Sequence, residues 1–330
     1  MVAGAVLLPP SCEKGNSMIL TILRRLSSGL LLILMVTAIT FLLVKASGVD
    51  AARSLLGPSA SAEDVESLRT RLGLDQNVFA QYSSWLASAV RGDFGTSWFT
   101  NEPVSAALAS RLPVTLSIVV VATVITAVVS VALGSIAALR GGVIDKVLQF
   151  IALLGYALPG LLIAIILVSI FALQLKLFAA TGYVPITESF TGWLGSILLP
   201  SIALSFGGIA VLATQIRGAM VDELGKDYIR TLRSRGVSNR AIVLRHALRN
   251  AGAPSLTVLS LLFISMLGGA VLIERIFALP GFGQFAAASS LQGDIPVIMG
   301  VVTFTVVVVV VVNILIDIAN GGLNPKARTR

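Results

Sequence analysis

DYIRTLRSRGVSNRAIVLRHALRNA, from Asp227 to Ala251, is the one long polar stretch in the C-terminal half of this 330-residue chain. From Arg217 to Asn250 there are eight basic side chains (Arg217, Lys226, Arg230, Arg233, Arg235, Arg240, Arg245, Arg249) against three acidic ones (Asp222, Glu223, Asp227). Around it the chain is strongly apolar. Hydrophobic residues make up 56% and charged residues 12%, where a soluble domain carries about 25% charged residues. Mean hydropathy is +0.93. Such a composition belongs in a bilayer, and a basic island between apolar segments faces the cytoplasm.

A spanning helix needs roughly 20 mostly apolar residues. Six runs qualify: Leu20 to Val44, Leu112 to Leu139, Val147 to Leu173, Trp193 to Ile216, Ala253 to Ile273 and Pro296 to Ala319. Pro113, Pro254 and Pro296 are expected at or near helix starts, where the missing N–H costs little. Pro159 and Pro200 fall inside runs and predict kinks. Arg24 and Arg25, Arg140 and Lys146, the island, and Lys326, Arg328 and Arg330 all fall on one face. By the positive-inside rule that face, with both termini, is cytoplasmic in a multi-pass cell-membrane protein.

The expected organisation is all-α: a tail over 1–17, a first span over 18–45, an extracytoplasmic helical segment over 46–111, five helices over 112–320 and a tail over 321–330. The polar loop 217–251 interrupts the five-helix core. The run from Leu26 to Val44 exceeds the roughly 7–15 residues of a signal-peptide core, which favours a retained anchor. Met18 is a plausible start alternative to Met1. From Ala46 to Ser110 there are four basic and seven acidic residues, a balance suited to the outer side. There AEDVESLRTRL (Ala62 to Leu72) predicts an amphipathic helix capped by Ser61. Gln81 to Val90 predicts a second, with Tyr82 and Trp85 suited to the membrane interface. This segment is either a cap on the helix ends or a docking surface for an external partner.

Cys12 and His246 are the only residues of their types. Intrachain disulfides, zinc sites of several His and Cys ligands, and most histidine-based catalysis are thereby excluded, and neither a metal nor a cofactor is expected. No phosphate loop G-x-x-x-x-G-K-[ST] occurs, because Gly225-Lys226 is followed by Asp227 and lacks the earlier glycine. Gly281 and Gly283 read as a turn on the outer side. Glu274 and Asp317 lie close to span ends; ion coupling competes with capping or pairing for both. Gly207, Gly208, Ala210 and Ala213 suit close helix packing, with a pathway lining as the rival.

Within the island, Tyr228, Ile229 and Leu232 share one face of a short helix beginning near Asp227, while Arg230, Arg233 and Arg235 line the rest. Gly236 ends it, and Ser238 caps a second helix from Asn239 to Asn250. Anionic lipid explains the charge but not the two helices. Nucleic acid is disfavoured by the single aromatic and the membrane setting. A soluble cytoplasmic subunit explains both features. A stand-alone secondary transporter and a membrane scaffold or receptor remain rivals, although inverted repeats and membrane-embedded ionisable residues are not evident.

The island resembles the EAA loop of ABC importer permeases: Gly236 matches its glycine and Leu248 its leucine. Arg230, Thr231 and Leu232 stand for Glu-Ala-Ala, His246 for the isoleucine and Arg249 for the proline, departures typical of the dipeptide/oligopeptide branch. RTLRSRG and RHALRNA, the arginine-led first span (Leu23 to Leu26), LRTRLGLDQ (Leu68 to Gln76), RGDFGTSW (Arg91 to Trp98), ERIFALPGFG (Glu274 to Gly283) and NILIDIANGGLNPKAR (Asn313 to Arg328) resemble the same branch. The resemblance implies the type I ABC importer permease fold and a non-catalytic subunit forming half of a peptide pathway. It further implies a second homologous permease, separate ATPase subunits and an extracytoplasmic binding protein. The coupling helix then maps near Lys226 to Gly236, with Asp227, Tyr228, Ile229, Arg230, Leu232, Arg233, Arg235 and Gly236 as its site residues. Nickel, glutathione and haem are alternative cargoes within that branch.

Overall fold

The computed structural model describes the backbone of residues 13–323 and the side chains of residues 27–320. Cys12, the side chains of Arg24 and Arg25, and the C-terminal Lys326, Arg328 and Arg330 lie outside the described residues. Every described element is helical, apart from an isolated bridge between Thr96 and Pro103. The long helices are α1 (Glu13–Ala46), α5 (Val104–Arg140), α8 (Phe190–Leu224), α11 (Leu248–Ile276) and α13 (Ile295–Leu323). Each contains a segment long and apolar enough to cross a bilayer. The fold is all-α, in line with the composition.

The third predicted span is divided. α6 (Gly142–Ala157) and α7 (Gly160–Leu167, continuing as a π-helical turn Val168–Gln174) meet at 94°. Leu158 and Pro159 are both extended at the corner (ψ 124° and 131°). Proline disfavours helical geometry in the residue before it, so the helix ends there. The two pieces still traverse the molecule as one broken span. Asp145 in the first turn of α6 is ion-paired with Arg217 near the end of α8. Beyond α7, Tyr183 meets Ser117 near the opposite end of the bundle.

Pro113 and Pro254 lie deeper in their helices than expected. Pro200 sits in an unbroken α8. Pro113 lies well inside α5, because that helix starts at Val104 and not near Leu112. Pro254 lies inside α11, since Asn239–Ala241 (α10), a π-helical stretch Ile242–Ala247 and α11 run on without a gap. Only Pro296 occupies a first turn. Neighbouring helices satisfy carbonyls that a proline frees, which lets helices continue through such positions in a bundle.

The pair α5 and α8 forms the spine. A Cβ on Gly134 would lie 2.7 Å from the Ala213 carbonyl oxygen, so the backbones touch. Ser130 and Ser201 donate across the seam to Ile209 O and Ile118 O, each at 3.1 Å. Around this spine Val114, Ile118, Ile197, Leu199 and Phe277 fill one half, and Leu212, Ile216, Met220, Val243 and Ala247 fill the other. Gly208 approaches Met266, and Ala210 approaches Gly155. These small residues therefore serve packing.

α1 lies peripherally on α13 and on α4 (Val78–Ala89). The segment between α1 and α5 holds α2 (Ala51–Leu56), α3 (Ala62–Arg71) and α4. Ser61 Oγ accepts from Asp64 N at 3.1 Å, the expected cap. Tyr82 turns onto α1, its hydroxyl 3.0 Å from Thr37 Oγ1 and its ring 5.7 Å from Phe41.

Candidate functional site

α9 (Asp227–Ser234) emerges from α8 through Gly225 and Lys226. Its period is short and sharp: Ile229 is fully buried, Leu232 half-buried, and Asp227, Arg230, Thr231, Arg233 and Ser234 exposed. Gly236 then takes φ +78°, with its N–H bonded to Arg233 O and the Val237 N–H to Leu232 O (3.0 and 3.1 Å). This is a left-handed helix stop, a geometry glycine adopts without steric cost. Ser238 Oγ accepts from Ala241 N at 3.3 Å and starts the next helix.

Glu223, only 6% exposed, is the hub beneath α9. Its carboxylate accepts from the Tyr228 hydroxyl at 2.6 Å and from Asn250 Nδ2 at 2.7 Å, and it pairs with Lys226. Burial, and then the bond to Glu223, pushes the Tyr228 phenol above its ordinary range. One carboxylate thus ties the end of α8, the first turn of α9 and the start of α11 together. Ile229 and the Tyr228 hydroxyl are committed inside the chain. The outward surface of α9 is a charged rim of Arg230, Arg233 and Arg235 around Thr231 and Ser234. The sequence placed the helix and its stop, but the inward hub was not read from it. Glu223, three residues before Lys226 and five before Tyr228, was the available signal.

His246 and Arg249 line a cavity of about 1100 Å³ with Arg245, Leu212, Ile216 and Leu256. It lies between α5, α8, the π-helical stretch and α11. The first turn of α6 is fixed to α8 by the bidentate pair between Asp145 and Arg217. No group of three or more potential metal ligands occurs among the described residues.

Two further buried carboxylates sit at the opposite end of the bundle. Glu274 is fully buried at the end of α11, where it accepts from Thr115 Oγ1 and from Gln284 N at 2.8 Å. Its donors include the first turn of α12 (Phe282–Gln292), so capping is what the structure shows for it. Asp294 accepts from Ser97 Oγ at 2.6 Å and from Trp98 N at 3.4 Å. RGDFGTSW is thereby fastened onto the link between α12 and α13. Gly281 caps α12 and Gly283 lies in its first turn, and Asp317 lies in the last turns of α13.

The profile of the binding-protein-dependent transport system inner membrane component matches residues 130–329. A companion profile, for the N-terminal part of such membrane components, matches residues 18–119. The chain belongs to this permease family. It is 40% identical over 93% of its length to a Brucella abortus (strain 2308) chain named as a peptide transport system permease protein, covering 98% of that relative. The oligopeptide transport system permease protein AppB of Bacillus subtilis (strain 168) is 33% identical, with 92% and 98% of the two chains covered. The glutathione transport system permease protein GsiC of Escherichia coli (strain K12) is also 33% identical, with 93% and 98% covered. As an ABC importer permease, this chain is a non-catalytic transport subunit, in a multi-pass membrane fold.

Proposed function

We propose that this permease forms half of the pathway of an ATP-driven importer for short peptides, with α9 as the helix that docks on an ATPase subunit. The observation that carries the docking reading is the geometry of α9: a short helix seated by Ile229 and the Glu223 hub, stopped at Gly236, and presenting Arg230, Thr231, Arg233 and Ser234 outward. A helix fixed so firmly to α8 and α11 can transmit a push from a partner into both spans. Tyr228, Ile229 and Leu232 seat it, the exposed Asp227 and the arginines supply rim contacts, and Gly236 sets its exit angle.

The peptide reading rests on the relatives, several of which carry peptide or oligopeptide in their names. Glutathione, itself a small peptide, falls in the same chemical class. The remaining partners in this reading are a second permease, two ATPase domains, an outer binding protein and the surrounding lipid. The basic loop and both termini face the cytoplasm, as the charge distribution requires.

Reconstitution tests this directly. Liposomes containing the chain, a second permease, the ATPases and the binding protein should accumulate labelled di- to pentapeptides only with ATP. Uptake by the chain alone under a proton gradient would replace this reading with a secondary transporter.

A further inference from the structure

The helix that issues from the basic loop continues, through α10 and the π-helical stretch, as one span from Asn239 to Ile276. Glu274 lies at its far end, 0% exposed. The carboxylate accepts from Thr115 Oγ1 on α5 and from Gln284 N, and a backbone bond from Gly283 adds to these. Thr115 Oγ1 in turn accepts from Phe282 N at 2.9 Å. So the first turn of α12 is capped by two side chains that belong to two different spans.

The fit leaves no slack. A Cβ on Gly281 would fall 2.1 Å from Glu274 Cδ, and one on Gly283 would fall 2.8 Å from Val271 Cγ2. Only glycine lets the chain fold this closely over the carboxylate. At its other end α12 is closed by Gly293 at φ +75°, followed by Asp294, which is held by Ser97 and Trp98. α12 is therefore pinned at both ends by buried acids. One of those acids is carried on the helix whose opposite end joins the α9 assembly.

We propose that Glu274 is a positioning residue that makes α12 move as one body with α11, so that displacement at the basic loop is delivered to the opposite face through the Glu274–Thr115–Phe282 latch. This rests on the reading of α9 as an ATPase-docking helix. A buried carboxyl group that several donors satisfy is costly to release, since breaking the set leaves buried polar atoms without partners. The latch accordingly behaves as a rigid joint.

The test uses the full complex with Cys12→Ser, which removes the sole cysteine, and Ala288→Cys on the exposed face of α12. A water-soluble maleimide labels that position in the nucleotide-free state and in the state trapped with ATP and vanadate. In this parent the labelling rate should differ severalfold between the two states, because α12 is carried with α11. Thr115→Val and Gly281→Ala should abolish most of that difference while the complex assembles and hydrolyses ATP. Thr115→Ser, which keeps the hydroxyl, should restore it. Equal state dependence in Thr115→Val and the parent overturns the inference, as does a parent with no state dependence. A complex that does not hydrolyse ATP refutes the underlying reading instead, and ATP hydrolysis is scored separately. If Gly281→Ala prevents assembly, the comparison of Thr115→Val with Thr115→Ser decides.

Discussion

Gly236 carries a backbone requirement and nothing else. Its φ of +78° lies in the left-handed region, and a Cβ there would meet no atom within 4 Å. Substitution therefore costs conformational strain of about 1–2 kcal/mol, largest for β-branched residues. Gly236→Asn should be tolerated and Gly236→Val should uncouple ATP hydrolysis from uptake while membrane insertion stays intact. Uptake measured per ATP hydrolysed reads this directly. Ile229 is the opposite case. It is buried completely, so Ile229→Ala should cost about 2–4 kcal/mol of local packing and expose α9 to proteolysis after Arg230 or Arg233. The glycine stop and the apolar spacing were legible in the sequence because both are local signals. For Glu223 only the local spacing to Lys226 and Tyr228 was legible; its bond to Asn250 forms only when α8 and α11 pack.

At the scale of elements, the seams between helices set the predictions. Gly134 meets the Ala213 carbonyl with no room for a methyl group, so Gly134→Ala should overpack the α5–α8 spine by about 1–3 kcal/mol. Thermal unfolding of the purified complex should show the loss, and Gly218→Ala, in open space, should not. Asp294 offers a pH test. Burial raises its pKa above the ordinary 3.8, opposed by hydrogen bonds from Ser97 and the backbone of Trp98. The folded state then holds the proton more tightly than the unfolded one. This contribution is full below 3.8 and is lost as pH rises from there through the folded value. Asp294→Asn should flatten that part of the stability profile, and melting at several pH values between 4 and 7 checks it. Long apolar runs revealed the spans, yet the same runs concealed where helices begin. α5 starts at Val104 because helix propagates cooperatively back through Pro113. Pro159 behaves differently, because Leu158 before it is also extended and no backbone bond bridges the corner.

Over the whole molecule, the basic loop and the outer face are joined by single helices and not by chains of loops. α8 carries Arg217 and Glu223 at one end and Trp193, which bonds Ser117, at the other. The span from Asn239 to Ile276 joins the α9 assembly to Glu274. In the proposed reading, a local displacement at the loop becomes motion of rigid rods, as alternating access demands. The all-α membrane class and the family resemblance could be read from the sequence, since composition and ordered strings carry them. The rigid connection could not, because it depends on helix continuity through α10 and on buried acids whose partners lie far away in sequence. The most direct measurement is a site-specific cross-link from Arg233→Cys, in the Cys12→Ser background, within the assembled complex. A bifunctional maleimide should join this position to the ATPase subunit in high yield, and a cysteine at Ala288 on α12 should not. Equal yields from both positions, or none from Arg233→Cys in a complex that transports, would contradict the account of α9 as the joint to the ATPase.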